Sequence, residues 1–390
     1  VGVRVRGVAV ASAAIGSLLL AGSASATRIV TWTLRSRYVN PNGPTPFNHP
    51  AGTNPHRRNA LRVNIYLPDG YNGRRRFPIL WLLHGHGDDY ESWVNPRYGD
   101  LLRLAPHFPG IIVMPEAAQG WYTDWLSGGR RRPGWESYFL LELMPLVERR
   151  LRILPGRSHH AIAGLSMGGE GAAFLAEQRP GYFGALATFS GVLSIQRPEW
   201  PTGFNTQGQN YTTLYGPRTG FYATAHNPVA LAGNLSYTRV LIRNGNGEPA
   251  PSEVNNYFGI AAESELSFHA RDFAAATRKA GAPTTLTFHQ GIHAWDYWRK
   301  DFLAALNWGF FRAVPEHPRR WTFTTADQHD LVWDLRLDFK RPPAAVERFT
   351  RSGARLRGSG AGKLVITTAG GCRLTERMPF AVKLPAGSCS

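Results

Sequence analysis

Gly164-Leu165-Ser166-Met167-Gly168 decides the fold of this chain. The run lies between Ala161-Ile162-Ala163, which reads as the end of a buried strand, and Gly169-Glu170-Gly171-Ala172-Ala173-Phe174-Leu175-Ala176-Glu177, which reads as a small-residue helix. A serine on a sharp strand-to-helix turn must hold unfavourable backbone angles, and glycines two before and two after it remove Cβ atoms that would collide across the turn. The hydroxyl then stands at a helix N-terminus, where the dipole and free N–H groups favour a developing negative charge. Ser166 is therefore the candidate nucleophile.

A serine nucleophile needs a base, and on such a fold the partners follow in the chain order Ser, Asp or Glu, His. Of thirteen histidines, His293 in Gly291-Ile292-His293-Ala294-Trp295-Asp296-Tyr297-Trp298 is the best placed. Before it lies the β-branched run Thr284-Thr285-Leu286-Thr287-Phe288, a strand. After it, Tyr297 to Phe311 has helical periodicity in Phe302, Leu303, Leu306 and Phe310. A histidine on the loop after a late strand can reach the serine and accept its proton. The acid is less sharply defined by spacing. Arg239-Val240-Leu241-Ile242-Arg243 reads as the penultimate strand, and Glu248 follows it after Asn244-Gly245-Asn246-Gly247. Glu263 and Glu265 lie further on, near the start of a helix running to about Ala280, and position in the chain leaves all three open.

Pro78-Ile79-Leu80-Trp81-Leu82-Leu83 is a continuous apolar run, as expected of a parallel strand buried on both faces. It ends in His84-Gly85-His86-Gly87-Asp88-Asp89, a turn able to aim the backbone N–H of His86 at an oxyanion. The N–H of Met167, directly after the serine, is the second candidate donor. His84-x-His86 resembles a metal pair, but no third ligand has suitable spacing. No metal and no cofactor are expected.

From about Leu61 to Phe311 several segments together resemble the secreted mycolyltransferases of the antigen 85 complex and the wider esterase D-like serine esterases. The carrying residues are Leu82-Leu83-His84-Gly85 with Asp88-Asp89-Tyr90, Ile112-Val113-Met114-Pro115, Trp121-Tyr122-Thr123-Asp124-Trp125, Trp135-Glu136, Gly164 to Gly168, Gly245-Asn246-Gly247 and His293 to Trp298. The resemblance implies an α/β-hydrolase fold, with Ser166 as nucleophile and His293 as base. It also implies a glutamate acid at the start of the helix after the Gly-Asn-Gly turn. Counting from that turn, and back from Gly281-Ala282-Pro283, selects Glu263. Within the matching segments, Asp88 and Trp295 are the candidate substrate-binding side chains. The mycolyltransferases have an aspartate at the position of His84 and an arginine at that of Gly87, both at the trehalose-binding end. Losing those charges removes charge-assisted hydrogen bonds to sugar hydroxyls, so the resemblance favours general ester chemistry over trehalose mycolyl transfer.

The N-terminal stretch carries Arg4 and Arg6, an uncharged small-residue segment from Val8 to Ala21, and Ala24-Ser25-Ala26. That pattern is a secretory signal peptide over residues 1–26, cut before Thr27. In an exported chain the two cysteines, Cys372 and Cys389, can close one disulfide. Net charge is +17, arginine far outnumbering lysine, with Arg74-Arg75-Arg76 and Arg130-Arg131-Arg132 the densest runs. Such charge suits an anionic cell-wall polymer or membrane surface, although an arginine-rich composition with these runs on solvated loops is the favoured reading. No nucleic-acid recognition motif accompanies it, and nucleic acid is not an expected partner.

Residues 27–312 are expected to form the α/β-hydrolase catalytic domain, with Asn40 to Asn59 a loop over it and Trp200 to Tyr222 an insertion near the pocket mouth. Beyond Pro315-Glu316-His317-Pro318 the texture changes to period-two alternation. Leu331, Trp333, Leu335, Leu337 and Phe339 read as one face of a half-buried strand, and Leu364 to Thr368 as another. Residues 313–390 are therefore expected to be a small β-sandwich-like domain, dispensable for chemistry. The expectation is a secreted serine esterase or acyltransferase that uses Ser166, His293 and Glu263 on an ester or acyl-lipid substrate. Mycolyl or other acyl transfer to a sugar or glycerol is the alternative. A non-catalytic wall-binding protein on the same fold is the rival from another class.

Overall fold

The computed structural model describes residues 27–39, 61–127, 133–206 and 209–389. Residues 1–26, expected to be a signal peptide, the expected loop from Asn40 to Asn59, and Arg130-Arg131-Arg132 lie outside the described residues. An eight-stranded mixed sheet organises the larger part of the chain. Its strands are β1 (Arg28–Leu34), β2 (Leu61–Leu67), β3 (Ile79–Leu83), β4 (Ile111–Pro115), β5 (His160–Leu165), β6 (Ala185–Phe189), β7 (Arg239–Gly245) and β8 (Thr284–His289). The order is β1-β2-β4-β3-β5-β6-β7-β8. Strands β3 to β8 are mutually parallel, and β1 and β2 add antiparallel pairings at one edge. The fold is that of an α/β hydrolase.

Alternation along the central strands distributes side chains to two cores, one on each face. Ile79, Trp81 and Leu83 join helices α1 (Met167–Gln178) and α2 (Tyr257–Lys279) through Phe174, Leu266 and Phe273. Leu80 and Leu82 instead face α3 (Trp295–Trp308) through Trp298 and Phe302. Every residue of β3 is buried, which is why it reads as an unbroken apolar run rather than an alternating one. Helix α3 stops at Trp308, before Phe310 and Phe311, because Gly309 takes φ +79° beyond its last turn. Short helices, among them Trp200–Thr206, Tyr211–Tyr215, Phe221–Ala225 and Pro228–Leu231, occupy the segment between β6 and β7.

The C-terminal strands form two four-stranded antiparallel sheets, ordered β10-β11-β14-β15 and β16-β13-β12-β9. They are β9 (Arg320–Thr325), β10 (His329–Val332), β11 (Leu335–Phe339), β12 (Glu347–Ser352), β13 (Arg355–Ser359), β14 (Lys363–Thr368), β15 (Arg373–Arg377) and β16 (Phe380–Lys383). Phe323, Leu337, Phe349 and Leu364 lie at the core between them. The single strand expected over 331–339 is instead a hairpin. Val332 pairs with Leu335, and Trp333 takes φ +58° in the two-residue turn. Such a turn places its flanking pair on the same face, so Val332 and Leu335 are both buried while Leu331 is 51% exposed. The alternation changes phase at the turn, and a continuous period-two reading cannot register that. Cys372 and Cys389 are joined in a disulfide.

These sheets are also tied to the rest of the molecule by a polar seam. Buried Arg157 donates to the carbonyls of Pro315, Phe183 and Tyr237, and Glu316 accepts from the backbone of Arg157 and Ser158. Asn234 donates to the Thr324 carbonyl and accepts from its N–H. Tyr237 packs edge-on against Trp333. Among the described residues, no helix is long and apolar enough to cross a membrane.

Candidate active site

Ser166 stands at the C-terminal end of β5 and caps α1 with φ +52° and ψ −120°. Non-glycine residues adopt such angles only where the surrounding structure enforces them. The enforcement comes from close packing of the turn. A Cβ on Gly164 would lie 2.1 Å from the Gly168 carbonyl oxygen, and one on Gly168 would lie 2.4 Å from the His84 carbonyl oxygen. Both glycines are thus required sterically, as the sequence pattern suggests.

His293 follows β8 and directly precedes Ala294, the N-cap of α3; its backbone N–H donates to the Gly259 carbonyl of α2. Its Nε2 is 2.9 Å from Ser166 Oγ, and its Nδ1 is 2.9 Å from Glu263 Oε2. Glu263 lies one helical turn beyond Gly259, so one stretch of α2 positions both the imidazole and the carboxylate. Of the three acids left open by spacing, only Glu263 meets His293. Glu248 is on an exposed loop, and Glu265 turns to Arg197 and His269.

The other oxygen of Glu263, Oε1, accepts from Ser190 Oγ at 2.7 Å and from the Gly245 N–H. Ser190 in turn accepts from Trp298 Nε1 at 3.0 Å, and the Trp298 ring stands edge-on to His293 at 4.8 Å. Neither Ser190 nor Trp298 emerges as a site residue from the sequence alone. The available signal was position, since Ser190 immediately follows β6, at the strand ends where ligands bind in open α/β sheets.

The serine opens into a cleft of ≈ 650 Å³ lined by His86, Trp121, Trp200, Phe258 and Trp295, among others. Gly85 packs directly on the nucleophile turn: a Cβ there would come within 3.4 Å of Ser166 Cβ. The following residue, His86, and the first residue of α1, Met167, therefore flank Ser166 on two sides. Asp88 is on the cleft wall, accepting from the Gly85 N–H at 3.2 Å and from Trp295 Nε1 at 3.4 Å. Burial pushes its carboxyl up to about 7, against the hydrogen bonds from Gly85 and Trp295. Burial also lowers the His86 imidazole. At one rim the start of α2 leaves Tyr257 and Phe258 exposed by 74% and 63%.

His84 does not face the cleft. It is fully buried, with Nδ1 donating to the Gly85 carbonyl at 2.8 Å and Nε2 accepting from the Ala117 N–H at 3.0 Å. Burial holds its pKa down to about 4, so it is a neutral strut between the ends of β3 and β4. The change from aspartate at this position accordingly alters the floor beneath the site rather than its lining.

A serine on a nucleophile turn, hydrogen-bonded to a histidine that is held by a carboxylate, places the chain among the α/β-hydrolase enzymes. The chain belongs to the Esterase family, with residues 57–308 matching. It is similar to Esterase Rv1288 of Mycobacterium tuberculosis, 30% identical over 234 residues, which are 57% of this chain and 50% of that protein. It therefore spans about half the length of that relative. It is also similar to the diacylglycerol acyltransferase/mycolyltransferase Ag85C of Mycobacterium leprae, 26% identical over 62% of this chain and 72% of that one. Among solved structures, MPT51 (FbpC1) of Mycobacterium tuberculosis aligns with a TM-score of 0.53 and 22% identity, covering 66% of this chain and 96% of that one. The fluorophosphonate-binding serine hydrolase FphF of Staphylococcus aureus aligns with a TM-score of 0.54 and 19% identity, covering 73% and 98%. Both likenesses speak to the fold.

Proposed function

We propose that the protein is an exported serine carboxylic-ester hydrolase or acyltransferase working through a Ser166–His293–Glu263 triad. The supporting observation is the pair of 2.9 Å contacts that runs from Ser166 Oγ through both imidazole nitrogens to Glu263 in the wall of the cleft. His293 Nε2 takes the hydroxyl proton as Ser166 Oγ attacks the acyl carbonyl, and Glu263 stabilises the imidazolium formed. The N–H groups of His86 and Met167 receive the oxyanion, a contribution of about 3–4 kcal/mol per donor in comparable sites. The imidazolium then protonates the leaving alcohol, giving an acyl-enzyme that water or an acceptor alcohol resolves by the reverse steps. Asp88 and Trp295 contact the bound ester from the cleft wall. The aromatic cleft and the exposed Tyr257 and Phe258 suit an acyl chain or lipid ester. Acyl transfer is favoured as a second outcome by the activity printed in the name of the Ag85C relative. Export rests on the N-terminal segment and fits the disulfide. Residues 27–312 are proposed as the catalytic domain and 313–390 as an appended β-rich domain.

A panel of p-nitrophenyl esters of increasing chain length, run with and without glycerol or a sugar, tests the proposal. Cleavage with ester products in the acceptor arms supports transfer, and free acid alone supports hydrolysis. No turnover of any ester would reject both.

A further inference from the structure

Away from the cleft, three buried or half-buried side chains from distant parts of the sequence converge where the β-rich sheets meet the catalytic unit. Glu136 opens the helical turn Trp135–Ser137, His226 follows the helix Phe221–Ala225, and Asp327 sits in the loop between β9 and β10. One donor atom from each lies within 4.8 Å of the other two, and His226 Nε2 is 3.7 Å from Glu136 Oε2. We propose that Glu136, His226 and Asp327 form a binding site for a divalent first-row transition metal, zinc by its donor chemistry, which ties the C-terminal sheets to the catalytic unit.

The imidazole is set up as a ligand. Its Nδ1 donates to the Tyr222 carbonyl at 2.8 Å, which turns Nε2 toward Glu136. Ligating histidines are oriented in this way, by a backbone carbonyl on the other nitrogen. The ring is also immobilised, stacked on Tyr222 at 3.9 Å and on Phe174 at 5.0 Å.

Charge points the same way. Asp124, Glu136, Asp327 and Asp330 act on one another here, with the buried Arg179 guanidinium as their cationic neighbour. Carboxylates grouped beside the proposed ligands make this a place where a cation is favoured over an anion. A doubly charged ion would offset the charge of the two carboxylates that ligate it.

One nitrogen and two carboxylate oxygens suit zinc rather than calcium or magnesium, which take all-oxygen shells. Zinc bonds of about 2.0–2.1 Å set tetrahedral donors about 3.3 Å apart, so His226 and Glu136 at 3.7 Å must close by a few tenths of an ångström and Asp327, within 4.8 Å of both, must swing in by up to about 1.5 Å. A cavity of ≈ 390 Å³ bordered by Glu136, Asp327 and Tyr222 provides an entry path and room for a water as fourth ligand.

The test is metal content and thermal melting of the full-length protein, purified without chelator, alongside Asp327→Asn and Glu136→Gln. About one zinc per chain is expected. After stripping with EDTA, zinc chloride should raise the Tm by about 5 °C at saturating concentration. Zinc affinity should fall on the order of 100-fold in each variant. Asp327→Asn, at the half-buried position, keeps the test usable if Glu136→Gln does not fold. Absence of bound metal with no Tm response to zinc would overturn the proposal. So would a response to calcium chloride in place of zinc, or zinc binding unchanged in Asp327→Asn.

Discussion

Replacing Glu263 by glutamine changes one atom and, in this environment, reverses a proton. Oε1 accepts from two donors, Ser190 Oγ and the Gly245 N–H, and the backbone donor cannot turn away. The Ser190 hydrogen is also committed, because its oxygen already accepts from Trp298 Nε1. The carbonyl oxygen of a glutamine must therefore take the Oε1 place. Its NH₂ then occupies the Oε2 place, 2.9 Å from His293 Nδ1. An NH₂ there requires Nδ1 to be the acceptor and puts the imidazole proton on Nε2, facing Ser166 Oγ. In that tautomer His293 cannot take the serine proton. The corresponding acid-to-amide change in a serine protease triad costs about 10⁴-fold in kcat, or about 5 kcal/mol of transition-state stabilisation. Folding should be little affected, since the amide is nearly isosteric and both donors to Oε1 are retained. Steady-state cleavage of a short p-nitrophenyl ester, with a thermal melt as folding control, reads both quantities. Glu248→Gln and Glu265→Gln should stay within about threefold of wild type. A Glu263→Gln enzyme within tenfold of wild-type kcat would refute the tautomer argument, and a large loss at either control would name another acid.

Ser166→Ala and His293→Ala should each remove most ester cleavage, and the double variant should lose little more than either, because the two act as a unit; multiplying losses in kcat would count against the pair. Asp88 titrates near 7 when folded against about 4 in an unfolded chain. The folded state thus binds its proton more tightly, and stability should fall as pH rises from about 4 to 7. Asp88→Asn should flatten that slope, by about 2 kcal/mol after allowance for the open cleft, in urea melts at pH 4 and pH 8; equal slopes in both proteins would contradict the assignment. A chain ending at Val314 should be strongly destabilised, because buried Arg157 loses Pro315 and Glu316 and Asn234 loses both bonds to Thr324. Arg157 keeps Phe183, Tyr237 and Thr238 and gains access to water, so the loss should stay below the ~3–5 kcal/mol of a fully stripped buried charge, and a wild-type Tm after truncation would show that the seam contributes nothing.

The parts legible in the sequence are those encoded within a few residues. The Gly-x-Ser-x-Gly turn is local in its pattern, and Gly164 is required by the Gly168 carbonyl within it, although Gly168 itself is required by the His84 carbonyl of the neighbouring strand end. The apolar run of β3 and the β-branched run of β8 likewise announce themselves by composition. Glu263 is different. Position in the chain leaves three acids and only the resemblance selects Glu263; what brings that one to the imidazole is the packing of α2 against β7 and the His293 loop, because which face of a helix meets a distant loop is a tertiary fact. The 331–339 hairpin was missed for a related reason, as a two-residue turn preserves apparent alternation while reversing the chain. His84 shows the limit from the other side: a histidine beside the site by sequence lies beneath it in space. Glu136, His226 and Asp327 carry no local signature at all, since their meeting depends on how the C-terminal sheets dock.

Intact-mass analysis after incubation with a fluorophosphonate, followed by peptide mapping, tests the central claim most directly. The reagent phosphonylates a serine only where a base activates it and an oxyanion site stabilises the adduct. One adduct per chain is expected, on the peptide carrying Ser166, absent in Ser166→Ala and formed far more slowly in His293→Ala. A native protein that stays unlabelled, or that is labelled at another residue, would contradict Ser166 as the nucleophile.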